Sequence, residues 1–154
     1  MIHGSCLCGA IRFEFTKPAG PFELCHCRRC RKVTGSAFFS GLYVRIEDFQ
    51  LVEGSELMTT YEAPILREPP AYRASFCSRC GSPVPNPDPA PPRTRGRSGL
   101  LEIPAGLLDD DPGVKPDKHI FVEVKSPWFE ITDDLPQLDL PALIKLRANT
   151  MISD

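Results

Sequence analysis

Seven cysteines are the residues best equipped for chemistry in this 154-residue chain, and their spacing sorts them into three groups. Cys6-Leu-Cys8 and Cys77-Ser-Arg-Cys80 are short knuckles far apart in sequence, while Cys25-His-Cys-Arg-Arg-Cys30 sets three thiols within six residues. Thiolates are soft ligands, and a structural zinc takes four ligands in a closed tetrahedron with Zn–S bonds of about 2.3 Å. Pairing the outer knuckles supplies that set from Cys6, Cys8, Cys77 and Cys80, and would staple an early strand to a late one to close a sheet. Cys25, Cys27 and Cys30 then remain as three thiolates with a fourth position open to water, hydroxide or an incoming thiol, the coordination of a catalytic zinc. Two Zn2+ per chain are expected, one structural and one catalytic.

Other arrangements stay open. Joining the middle group to one outer knuckle leaves an orphan pair. A second structural zinc could be closed by His26 or His119, although His26 is wedged between two ligands and His119 opens an apolar strand, where a satisfied structural histidine is the commoner case. Disulfides are disfavoured by the odd cysteine count and by the start Met1–Ser5, which lacks the charged segment and apolar run of a secretory leader, so a reducing, cytoplasmic location is the expectation. No run approaches the roughly 20 apolar residues needed to cross a bilayer, so no membrane is expected. The formal net charge of -2 offers no overall attraction for nucleic acid.

Arg28, Arg29, Arg31 and Lys32 surround the middle group. They compensate thiolate charge, or their guanidiniums hold the carboxylates of a small acidic thiol, and both roles are compatible. Thr34, Ser36 and His26 are the nearest candidates for proton handling, though a hydroxyl just after a knuckle more often closes a turn.

The elements that must position these residues read mainly as strands. Ile11, Phe13 and Phe15 alternate with polar residues, and Phe38, Leu42 and Val44 repeat the pattern less cleanly. Leu57 to Tyr61, Tyr72 to Phe76, Leu100 to Ile103 and Ile120 to Val124 are further short strands bounded by turn residues. Seventeen prolines argue against long helices, so the expectation is all-β, with one short C-terminal helix around Pro141 to Arg147. From Pro83 to Gly99 the proline- and arginine-rich stretch reads as an exposed loop.

Four stretches together resemble a known family: Gly4-Ser-Cys-Leu-Cys-Gly-Ala-Ile-Arg-Phe, Cys25-His-Cys-Arg-Arg-Cys-Arg-Lys-Val-Thr-Gly-Ser-Ala-Phe, Phe76-Cys-Ser-Arg-Cys-Gly-Ser-Pro and His119-Ile-Phe-Val-Glu-Val-Lys-Ser-Pro-Trp-Phe. The chain resembles the glutathione-dependent formaldehyde-activating enzymes and the CENP-V-like proteins grouped with them. The resemblance implies a single-domain β-tent over residues 1–139, and the helical tail expected at 140–154 is not part of the family's signature. It implies a structural zinc on Cys6, Cys8, Cys77 and Cys80, and a catalytic zinc on Cys25, Cys27 and Cys30. It also implies carbon–sulfur lyase chemistry joining glutathione and formaldehyde, or related thiol and aldehyde compounds, with Arg28, Arg29 and Ser36 as candidate substrate contacts. The competing expectation is a zinc-stabilised binding module for protein or nucleic acid, drawing on Arg28 to Lys32 with Arg93, Arg95 and Arg97, and on Trp128 and Phe129 as a stacking surface unless they are core.

Overall fold

Proline at 17 positions keeps helices short, and the described residues form ten strands and two helices of 7 and 11 residues. The computed structural model describes residues 1–63, 72–87 and 99–150. It divides into two units, Met1–Gly20 with Leu42–Val114, and Pro21–Gly41 with Lys115–Asp154.

In the first unit, β1 (Ile2–Ser5), β2 (Arg12–Phe15) and β5 (Phe49–Glu53) form an antiparallel sheet in the order β1-β2-β5. Phe13 and Phe15 point inward with Ile11 just ahead of them, and all three are buried, as period-two alternation requires. β6 (Met58–Ala63) and β7 (Tyr72–Cys77) form a separate antiparallel ribbon in which Met58 pairs with Cys77. β4 (Phe39–Arg45) enters this unit at Leu42 and lies beside β8 (Leu100–Pro104). Leu42, Tyr43 and Val44 are all buried, which explains why alternation was blurred there.

The start of the proline-rich stretch is not an exposed loop. Pro83 bridges to Phe76, Val84 donates its N–H to Ser75 O at 2.9 Å, and Val84 and Pro85 are buried. The remainder of that stretch, with Arg93, Arg95 and Arg97, lies outside the described residues.

In the second unit, β3 (Phe22–Cys25), β9 (Lys118–Ile120) and β10 (Gln137–Leu138) pair in parallel in the order β3-β9-β10. The expected strand Ile120 to Val124 ends at Ile120, because Phe121 adopts a left-handed conformation (φ 58°) and Val122–Val124 form a 3-10 turn. A helix that the strand-dominated reading did not anticipate, α1 (Arg28–Thr34), follows β3 directly. The anticipated helix is α2 (Leu140–Thr150), started by Asp139, whose carboxylate accepts from Ala142 N–H at 2.9 Å, with Pro141 in the first turn. Leu143 of α2 is buried with Cys25 and Ile120. Arg147 reaches the buried Glu23 carboxylate of β3 at 3.5 Å, and Lys118 lies 3.8 Å from the same group. No helix among the described residues is long and apolar enough to cross a membrane.

Candidate metal centres

Cys6 lies just after β1, and Cys77 ends β7. Two matching turns build the knuckles: Gly9 donates its N–H to Cys6 O, and Gly81 donates to Cys77 O, each at 2.8 Å. Both glycines are left-handed, at φ 72° and 77°, a region closed to most side-chain-bearing residues. The turns fold back so that the sulfurs of Cys6, Cys8, Cys77 and Cys80 lie within 4.8 Å of one another. Cys6 Sγ is 3.5 Å from Cys8 Sγ, and Cys8 Sγ is 3.9 Å from Cys77 Sγ. A tetrahedron with bonds of about 2.3 Å places its ligands about 3.8 Å apart, so the spacing suits a zinc-sized cation.

The surroundings favour thiolate at Cys6 and Cys80, while against the pull of the Ala10 backbone, desolvation and the three neighbouring sulfurs push Cys8 up to about 11. Ile11 N–H donates to Cys6 Sγ at 3.3 Å, and Ser82 sits 3.4 Å from Cys80 Sγ. The Ser82 side chain and backbone pull the Cys80 thiol down to about 5. Cys6 and Cys77 are buried among Ile11 and Val84, whereas the knuckle tip, Leu7, is 86% exposed. Rather than closing a single sheet, this cluster joins the β1-β2-β5 sheet to the β6–β7 ribbon.

In the second unit the sulfurs of Cys25, Cys27 and Cys30 also lie within 4.8 Å of one another. Cys25 is the last residue of β3, and Cys27 caps α1, its sulfur accepting from Cys30 N–H at 3.4 Å. The helix brings Cys30 back to Cys27, which loop geometry alone would not ensure. Its signals were in the sequence: a short polar residue ahead of Arg-Arg-Cys-Arg-Lys, basic residues in the last turn, and Gly35 as the stop. Without a cation the three sulfurs share one charge. Hydrogen bonds from the Cys25 and Cys30 thiols draw Cys27 down to about 2, helped by Cys30 N–H and the Arg29 charge, while Cys25 and Cys30 are pushed up. One thiolate beside two thiols is a set that a divalent cation can convert to three ligands.

His26 contributes no nitrogen to this set. It is fully buried, tilted against Phe38 and Phe129, with its Nε2 at 2.8 Å from Nδ1 of the equally buried His119. His119 Nε2 in turn lies 3.0 Å from the Asp133 carboxylate. Burial, then the charges of His119, Lys125 and Arg31, draw His26 down to about 4; the Ala37 backbone is close enough to oppose this but not placed for a hydrogen bond to Nδ1.

The basic run divides in two. Arg31 donates to Ser126 Oγ and to Val124 O, tying α1 to the segment after β9, whereas Arg28, Arg29 and Lys32 are exposed. Thr34 donates to Cys30 O and Ser36 to Phe38 O, each at 2.8 Å, so both hydroxyls close turns. Phe129 belongs to the aromatic cluster around His26, but Trp128 is 72% exposed and not core. Sequence reasoning paired neither His26 with His119, 93 residues apart, nor His119 with Asp133, 14 residues apart, since contacts between separate elements leave no local signal.

The profile of the family described as glutathione-dependent formaldehyde-activating enzyme matches residues 1–124. The chain belongs to this family. A Halomonas elongata protein provisionally named as a glutathione-dependent formaldehyde-activating enzyme is 33% identical over 133 residues, covering 85% of this chain and 81% of that protein. A Rhodobacter sphaeroides protein of known crystal structure shares the fold at a TM-score of 0.51 and 20% identity, covering 88% of this chain and 99% of its own. Three of the four resembling stretches lie wholly within the matched region, and the fourth enters it at His119–Val124.

Proposed function

We propose that the protein is a zinc-dependent carbon–sulfur lyase of the formaldehyde-activating type, acting on a glutathione–aldehyde adduct or a related thiol compound. In this reading Cys6, Cys8, Cys77 and Cys80 hold a structural zinc, and Cys25, Cys27 and Cys30 hold a catalytic one, within a β-tent domain spanning residues 1–139. The carrying observation is the contrast between the two clusters: four convergent sulfurs in one, and three with no fourth protein ligand among the described residues in the other. Family membership supports the choice of thiol and aldehyde.

Zinc at the three-cysteine site supplies the Lewis acidity that keeps a substrate thiol deprotonated near neutral pH and stabilises it as a leaving group. The chain supplies placement. Cys25, Cys27 and Cys30 fix the open position beside the start of α1, where Arg28 and Arg29 stand exposed and offer bidentate partners for the carboxylates of glutathione. Holding thiol and carbonyl side by side accounts for much of the rate gain in such additions. Thr34 is committed to the Cys30 carbonyl and Ser36 to the Phe38 carbonyl, so both hydroxyls hold the backbone around the site.

The test is zinc content and zinc–sulfur coordination by X-ray absorption, with glutathione titrated into metal-replete, reduced protein. Two zincs per chain and a mean sulfur number rising towards four on glutathione addition are expected, together with formation of S-hydroxymethylglutathione from glutathione and formaldehyde. Coordination that ignores glutathione overturns the lyase reading and leaves a zinc-stabilised binding module.

A further inference from the structure

The Cys25-His26-Cys27 segment has two sides with different neighbours. Cys25 packs with Ile120 and Leu143, with Cys27 and Cys30 at the edge of that cluster. His26 instead meets Phe38, His119 and Phe129, at ring centroid distances of 5.4, 5.0 and 5.7 Å. Its N–H donates to Ile120 O at 3.0 Å, carrying the β3–β9 ladder one residue beyond Cys25. Along extended backbone, adjacent side chains project to opposite sides, so anchoring His26 through its ring and its backbone N–H fixes the backbone that presents the two flanking sulfurs to the other side.

The ring's orientation is set from outside. The Asp133 carboxylate, half-exposed, only accepts hydrogen bonds, so the hydrogen between it and His119 is on His119 Nε2. A neutral His119 then presents Nδ1 as an acceptor, and His26 Nε2 is the donor across their 2.8 Å contact. One carboxylate therefore fixes both rings in sequence. Asp133 is itself held, because its Oδ1 also accepts from Leu135 N–H at 3.0 Å.

We propose that His119 and Asp133 are positioning residues for the three-cysteine site: the Asp133–His119–His26 chain locks the strand end so that Cys25 and Cys27 converge with Cys30 on a metal. The inference rests on the reading of that cluster as a metal site. Hydrogen-bonding partners behind metal ligands commonly change metal affinity by 10–100-fold, although here the link runs through the backbone rather than to a ligand atom.

The test compares full-length wild type with Asp133→Asn, Asp133→Glu and His119→Gln. Zn2+ affinity at each site is measured by chelator competition, and the His26 and His119 tautomers by side-chain 15N NMR. Asp133→Asn keeps an oxygen for Leu135 N–H but can donate as well as accept, so it unlocks the tautomers without removing bulk from the buried cluster. The expected result is two zincs in wild type and unchanged affinity at the four-cysteine site. Affinity at the three-cysteine site falls by at least about 10-fold in Asp133→Asn and His119→Gln, with partial recovery in Asp133→Glu. His26 carries its hydrogen on Nε2 in wild type and loses that single state in Asp133→Asn. Two zincs in wild type with unchanged affinity in Asp133→Asn overturn the positioning role alone, even if His119→Gln does not fold. A single zinc in wild type overturns the metal-site reading beneath it.

Discussion

Leu143 offers a direct test of how α2 supports the three-cysteine site. Its side chain is fully buried against Cys25 and Ile120, and it belongs to the helix that follows the matched family region. Leu143→Ala removes three carbons. At about 0.8 kcal/mol per buried methylene, the transfer cost is roughly 2.4 kcal/mol, and the cavity left behind brings the total to about 2–5 kcal/mol. Against a typical stability of about 5–15 kcal/mol, this is a large share. Ile144, next in sequence but 60% exposed, is the control, with an expected cost within about 0.5 kcal/mol for Ile144→Ala. Urea unfolding followed by circular dichroism should lower the Leu143→Ala midpoint by roughly 1–2 M at an ordinary slope, and metal-free Cys25 should react faster with a thiol reagent. Indistinguishable midpoints for the two variants would refute the claim that α2 is seated on the site.

Three further outcomes are expected. Cys27→Ser should keep its circular dichroism spectrum and lose one zinc by elemental analysis, whereas Cys77→Ser should lose the other zinc and unfold at a clearly lower urea midpoint, since structural zinc contributes on the order of 10 kcal/mol of apparent binding free energy. Gly81→Ala forces an alanine to φ 77° in a knuckle turn and should cost about 1–2 kcal/mol, read as faster zinc loss to a chelator from the four-cysteine site only. Acidification should destabilise metal-free protein through His26: its folded pKa of about 4 lies below the ordinary value of about 6.5, so the unfolded chain takes the proton first. That stability is intact above pH 6.5 and is lost progressively towards pH 4, amounting to roughly 3 kcal/mol, and His26→Gln should flatten the urea midpoints over this range.

Much of this architecture is legible where one side chain after another faces a fixed environment. Ile11, Phe13 and Phe15 reported a buried strand face because β2 has one wet side, and the segments at Leu57, Tyr72 and Leu100 fell on β6, β7 and β8 for similar reasons. Ile120, Val122 and Val124 carry the same alternation, yet a single left-handed residue, Phe121, breaks the strand, and period alone cannot encode that. β1, β3 and β5 escaped notice because they lack clean alternation: the buried position of β1 is Gly4, β3 buries Glu23 beside Leu24 and Cys25, and β5 has no fully buried residue. α1 was hidden by its own cysteines: Cys27 and Cys30 read as a knuckle, and they are also a helix cap and its first turn. Cysteine spacing anticipated both sulfur clusters because short knuckles are local, whereas the His26–His119–Asp133 chain depends on β3 and β9 lying side by side.

The two sulfur clusters differ in how much chain each must gather. Cys25, Cys27 and Cys30 lie within six residues, so a nascent or unfolded chain already holds them at high mutual concentration and can capture a metal before any sheet exists. Cys6 and Cys77 close a loop of roughly 70 residues, an ordering cost of about 4 kcal/mol for the unfolded chain, and during synthesis Cys77 and Cys80 appear only after half the protein has been made. Metal acquisition is therefore expected to run from the local cluster to the distant one. When zinc is scarce, the site proposed for turnover fills early, and the site that holds sheet to ribbon sets how much of the protein reaches maturity.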